Sequence, residues 1–215
     1  MRRVLFLGLA LTALTACETE VDTKPAAEVK EIAAPVPEAA ATPAAATMPV
    51  LPEKGIKVDA AASKIGFIGA KVTGTHEGGF TDFTGYAVIE GEELTETMFI
   101  VDMNSTFADA EKLTKHLKSD DFFAVQANPA STFTTTSITA GGEGGTHTVV
   151  GILDLRGQKK ELTFPATITV AADMATFKSE FKMNRKLWGI QYPGKPDDLI
   201  KDDVAIVVDL SFPRS

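Results

Sequence analysis

Leu162-Thr163-Phe164-Pro165-Ala166-Thr167-Ile168-Thr169-Val170 alternates apolar and polar residues almost without a break. A strand turns successive side chains to opposite faces, so this period of two describes a strand with one buried and one wetted side. The pattern returns where Ala175, Phe177, Phe181 and Met183 alternate with Thr176, Lys178, Glu180 and Lys182. It returns again in Val204, Ile206, Val208, Leu210 and Phe212. Weaker versions run through Phe99, Val101 and Met103, and through Val149, Gly151, Leu153 and Leu155. Further strands are expected over 64–74, 79–90 and the Thr-rich 131–139. Clusters of Gly and Asp place turns at Glu77-Gly78-Gly79, Glu90-Gly91, Gly141-Gly142-Glu143-Gly144-Gly145 and Ala172-Asp173. One helix is predicted from Asp109 to Lys118, with Leu113 and Leu117 one turn apart on one face. About eight antiparallel strands and a single short helix make residues 55–215 an all-β barrel or sandwich.

The segments before that domain have different compositions. Met1-Arg2-Arg3 followed by the apolar run Val4–Leu14 has the form of an export signal, and the run is too short to span a bilayer. Small residues then lead into the only cysteine, Leu14-Thr15-Ala16-Cys17, which resembles the bacterial lipoprotein box. The expected divisions are therefore a signal over 1–16, a lipid-bearing Cys17 with a linker over 17–54, and a barrel over 55–215. The linker is rich in Ala and Pro, as in the run from Ala33 to Pro52. Pro35, Pro37, Pro43 and Pro49 interrupt any helix that Ala would favour, so a disordered tether is expected. A bacterial envelope protein follows as an expectation, anchored by an acylated Cys17 with its domain in the periplasm.

Composition removes several functions. The net charge is −8 and no basic stripe interrupts it, so the electrostatic footprint of a nucleic-acid binder is missing. One cysteine supports neither a disulfide scaffold nor a Cys-based metal centre. The three histidines, His76, His116 and His147, lack the short spacings of a metal site. No nucleophile elbow or phosphate loop occurs, so no catalytic residue, cofactor or metal is assigned. A membrane-spanning barrel is also disfavoured, because one Trp and two Tyr cannot build aromatic girdles. The interior is instead dominated by phenyl rings: thirteen Phe, of which only Phe6 falls in the export signal. Such an interior has few polar atoms to satisfy and can stay dry. Alternation alone leaves two readings open, a packed core or a cavity for one long apolar ligand.

Four blocks together resemble the YceI-like family of lipid and polyisoprenoid binders. They are Ser63–Phe67 running into Gly79-Phe80-Thr81-Asp82-Phe83-Thr84-Gly85; Leu113–Phe123 followed by Asn128–Phe133; Val150–Gly157; and Phe181–Arg185 leading to Trp188-Gly189-Ile190. Two departures stand out: Ala124 where Asp is common, and Lys159-Lys160-Glu161 where Thr-Lys-Pro is usual. The resemblance implies an extended, lipocalin-like antiparallel barrel with a helical cap and a long apolar tunnel. The implied ligand is a polyprenyl lipid, an isoprenoid quinone or a fatty amide, carried or sequestered without catalysis. Tunnel contacts are expected from Phe67, Phe80, Phe99, Val101, Met103, Phe122 and Phe133 in the first half of the domain. In the second half they are expected from Leu153, Leu155, Phe164, Phe181, Met183 and Trp188, with Arg156 and Arg185 as partners for a polar head. The competing readings are an interaction module with a packed barrel and, behind it, an enzyme acting on a bound lipid.

Overall fold

The computed structural model describes residues 18–32 and 51–214. The expected export signal, Cys17 and the central part of the expected linker lie outside the described residues. Eight long strands carry the sheet: β3 (Lys64–Lys71), β5 (Phe83–Glu90), β6 (Glu93–Asp102), β8 (Ala130–Ala140), β9 (His147–Leu155), β10 (Gln158–Val170), β11 (Met174–Asn184) and β13 (Asp198–Pro213). Shorter strands extend or cover it: β1 (Glu28–Glu31), β2 (Gly55–Lys57), β4 (Gly74–Phe80), β7 (Thr106–Ala108) and β12 (Gly194–Lys195). Every strand pair is antiparallel, in the order β2-β5-β6-β8-β9-β10-β11-β13-β3-β4-β7. The sheet curls on itself because β4, near one end of that path, runs through Thr81-Asp82 directly into β5 near the other. The expected all-β, lipocalin-like architecture is the one found.

Antiparallel neighbours follow from short hairpins. Arg156 and Gly157 both have positive φ, 54° and 69°, and turn β9 into β10 in two residues, the mirror-image turn that matches strand twist. The predicted helix is α2, Glu111–Leu117, lying across one end of the barrel. Its hydrophobic pair works as expected, with Leu117 buried and Leu113 packed against the core.

Two expectations are corrected. The Glu77-Gly78-Gly79 stretch is no turn but the inner half of β4, so the strand expected over 64–74 is split by a tight turn after Lys71. Glycine is required there for space: a Cβ on Gly78 would stand 2.4 Å from the Phe67 ring. The second correction concerns the tether. Thr19–Glu31 is docked on the barrel, beginning with the single helical turn α1 (Glu20–Thr23) and ending in β1, which pairs with Lys160–Thr163 of β10. Composition hid this because two apolar residues suffice. Val21 is fully buried in a small cluster with Ile68, Ala70 and Ala205 on the outer face of β3 and β13, and Val29 packs on the main core.

Candidate functional site

The inner faces of the long strands surround a cavity of about 160 Å³. Its wall is almost entirely carbon. Phe99 stacks on Phe133 at 5.3 Å between ring centres, and Phe133 meets Phe164 at 5.5 Å. Phe164 in turn stacks on Phe181 at 4.2 Å, so one array of rings crosses from β6 to β11. A second group, Phe67, Phe80 and Phe123, meets near the helical end at 5.8 to 6.1 Å. Gly151 makes room for the first array, since a Cβ there would stand 2.4 Å from the tip of Phe133. The alternation Val149-Gly151-Leu153 thus points a missing side chain inward, into space taken by the Phe133 ring from the neighbouring strand.

Thirteen of the fifteen residues expected to face the tunnel line this cavity: Phe67, Phe80, Phe99, Val101, Met103, Phe122, Phe133, Leu153, Leu155, Phe164, Phe181, Met183 and Arg185. Trp188 and Arg156 do not. Trp188 lies in the short 3₁₀ turn after β11, fully buried, and among the described residues its indole N–H has no hydrogen-bond partner. Arg156 reaches along the end of the barrel and donates to the carbonyls of Gly189 at 2.5 Å and Asp120 at 3.2 Å. It staples the β9–β10 hairpin to the loops beside it, because its positive-φ backbone turns the side chain away from the interior. The expected set of tunnel contacts also undercounts the wall. Ile65, Leu162, Phe177, Ile206 and Val208 line it too, and each obeys the period of two that located its neighbours.

Polar groups are confined to one rim and one wall position. Ser131 is satisfied by donating to the Asp154 carbonyl at 2.7 Å. Arg185, only 5% exposed, donates Nε–H to Lys201 O at 3.0 Å and Nη1–H to Ile190 O at 2.8 Å. Its Nη2 has weaker company, 3.5 Å from Ile200 O and 3.8 Å from Asp202. Burial pulls this guanidinium below its usual value, and Asp202 partly offsets that. Lys201 and Asp203 complete the rim. A groove beside α2 shares Phe67, Gly69, Leu117, Phe122 and Ile200 with the cavity and leads outward past His116 and Tyr192. His116 stands there with Nε2 2.8 Å from Asp121 and its ring edge-on to Phe122 and Tyr192. The position where Asp is common, Ala124, adopts φ of 49° just beyond this groove, a conformation Asp or Asn tolerates better than Ala.

A family model described as YceI-like domain matches residues 56–212. A UPF0312 protein of Yersinia enterocolitica is 32% identical over 94 residues, which is 43% of this chain and 48% of that protein. A UPF0312 protein of Pseudomonas aeruginosa is 29% identical over 122 residues, 53% of this chain and 63% of that one. The chain thus spans from about half to under two thirds of the length of these curated relatives. Among solved structures, BcnA of Burkholderia cenocepacia superposes with a TM-score of 0.64 at 21% identity, covering 72% of this chain and 98% of that one. A polyisoprenoid binding domain from Saccharophagus degradans, implicated in plant cell wall breakdown, superposes at 0.60 and 16% identity, covering 74% and 98%. At such identities these likenesses establish the fold. Both neighbours are covered almost whole by a part of this chain, and the family match begins at residue 56, after the docked segment 19–31.

Proposed function

The chain belongs to the YceI-like family, and from that premise we propose that it is a binding protein whose barrel holds one long apolar ligand: a polyisoprenoid, an isoprenoid quinone or a fatty amide. The observation that carries the reading is the carbon-lined cavity running from Phe99 to Phe181, about 160 Å³ in volume. A space of that size takes roughly six methylene-sized groups, since a cavity of about 150 Å³ holds one benzene, so a longer chain continues outward through the groove beside α2. Ligand burial is driven by the apolar area removed from water and needs no catalytic group. Arg185 stands at the one polar rim with Nη2 only loosely bound, which suits a carbonyl, hydroxyl or phosphate oxygen on the ligand head.

Carriage or sequestration, with no chemistry on the ligand, is the activity proposed. The location that fits is the bacterial envelope, with Cys17 acylated and the domain in the periplasm. The support is the charged start, the apolar run Val4–Leu14 and the small residues before Cys17. Replacing Cys17 by Ser is expected to move the protein from the membrane fraction to the soluble periplasm; unchanged membrane association overturns the anchor. The ligand is tested by lipid extraction and native mass spectrometry of the full chain purified from a bacterial envelope. One stoichiometric polyprenyl, quinone or fatty amide species is expected. An empty protein that also takes up none of these lipids from vesicles overturns the reading and favours a packed interaction module.

A further inference from the structure

β10 and β11 hydrogen-bond only where Thr167–Val170 face Ala175–Lys178, although the strands continue to Gln158 and Asn184. Pro165 explains the break. The Ile168 N–H points toward β9, donating to Thr146 Oγ1 at 2.9 Å. By alternation, residues 161, 163, 165 and 167 direct their backbone groups the other way, toward β11. Proline has no N–H to offer there, and its carbonyl is taken by the Ser179 hydroxyl at 2.6 Å. Past Pro165 the two strands part.

The docked segment enters that gap. Lys182 of β11 donates its N–H to Pro25 O at 2.8 Å and receives the Ala27 N–H at 2.9 Å, while Glu28–Glu31 pair with Lys160–Thr163 of β10. Continuing the register of β10 and β11 would set Thr163 against Lys182, so Pro25–Glu31 occupies the place of the missing ladder. The strand lies against the core beside the cavity, with Val29 half-buried and packed on the cluster that holds Leu162. Val29 is the register partner of Leu162, cross-strand partners share a face, and Leu162 faces the cavity. Met183 and Phe181 face the same cavity from the other side of the seam. The segment is also tied to the polar rim, because Asp22 accepts from Lys201 at 2.5 Å.

We infer that Pro25–Glu31 is a removable strand that closes a lateral port, and that the apolar ligand enters and leaves through the β10–β11 seam; this rests on the barrel being a ligand carrier. The matched family domain begins at residue 56, after the segment, so none of the strands of that domain is lost with it. The hold is short: one four-residue pairing, the Lys182 bonds, the Val21 socket and ion pairs of Lys24 with Glu180, Lys201 with Asp22, Lys160 with Glu31 and Lys30 with Glu161. Departure parts the wall between Leu162 and Met183 while leaving the ladders of β9 with β10 and of β11 with β13 intact.

The test uses the full chain with Cys17→Ser, to which Lys30→Cys and Glu161→Cys are added. These two are register partners whose side chains form an outward ion pair at 3.8 Å, suited to a cross-strand disulfide that leaves the cavity wall untouched. The probe is cis-parinaric acid, followed by fluorescence in stopped flow. Oxidation is expected to slow both association and release by roughly tenfold or more at unchanged affinity, with recovery on reduction. Glu161→Pro, which deletes a strap-facing N–H, is expected to speed both. Rates indifferent to oxidation overturn the inference and send ligand traffic to the groove beside α2. Absence of probe binding in every form defeats the carrier reading instead, and hydrogen exchange then judges the strap. Ala27 and Lys182 amides exchanging well before those of β9 sustain a removable strand, whereas exchange in step with β9 overturns it.

Discussion

Filling the cavity separates a hollow carrier from a packed scaffold by the sign of a stability change. Val101 on β6 and Val208 on β13 are each 4% exposed and face the cavity from different walls. In a packed core, enlarging either to Phe costs about 1–3 kcal/mol through strained rotamers and displaced backbone. Here the added ring carbons enter free space within about 160 Å³. Four extra carbons at about 0.8 kcal/mol each set an upper gain of roughly 3 kcal/mol, and lost rotamer freedom and imperfect fit reduce it to about 0–2 kcal/mol. The same ring excludes some four methylenes of ligand, so affinity falls by about 3 kcal/mol, on the order of a hundredfold. Urea unfolding at constant m reads the first quantity and titration with cis-parinaric acid the second. Val101→Phe and Val208→Phe are expected to unfold at equal or higher urea while binding the probe far more weakly. If both lose stability and bind as before, the space between these walls is not where the ligand lies.

Three further outcomes follow from single contacts. Gly151→Ala is expected to destabilise by about 1–3 kcal/mol, because the new Cβ meets both Phe133 at 2.4 Å and the Thr134 carbonyl at 2.7 Å; an unchanged unfolding midpoint contradicts the packing described. Arg156→Ala is expected to cost about 1–2 kcal/mol through the lost carbonyl contacts and leave probe affinity unchanged; weaker binding at unchanged stability would return Arg156 to the ligand. Asp22 carries a pH dependence: the hydrogen bond from Lys201, then those from Thr19, hold its carboxyl well below the ordinary 3.8. A group depressed in the folded state contributes fully above its unfolded value, and that contribution is lost as pH falls toward the folded one. Exchange protection of the Ala27 and Lys182 amides is therefore expected to hold above 3.8, to weaken progressively below it, and to lose that dependence in Asp22→Asn.

Strand periodicity was a faithful guide to the cavity wall, because one buried face on an antiparallel strand admits only every second residue. Phe99, Val101, Met103, Phe164, Phe181 and Met183 needed no tertiary information to be placed inside. Where reading failed, the cause was local ambiguity. Gly78 and Gly79 have the composition of a turn, yet they lie in a strand because rings of Phe67 and Phe107 rest against them. Trp188 follows the last inward residue of β11, but the chain bends at Asn184, whose side chain caps the 3₁₀ turn, and parity no longer applies. Arg156 was judged by charge, whereas its role is set by the positive φ of a hairpin turn.

The amino-acid sequence by itself determined the all-β class, the family, the inward set of phenyl rings and the absence of a nucleic-acid footprint, since each depends on composition or on neighbours along the chain. Whether the enclosed rings leave free space, and that the segment 19–31 closes the seam of β10 and β11 in place of hanging loose, were decided only by tertiary structure. Free volume is a small difference between large packed volumes, which no alternation of residue types records. Docking of the segment depends on one proline that parts two strands some 140 residues away, and on backbone donors whose direction exists only once the barrel has curled.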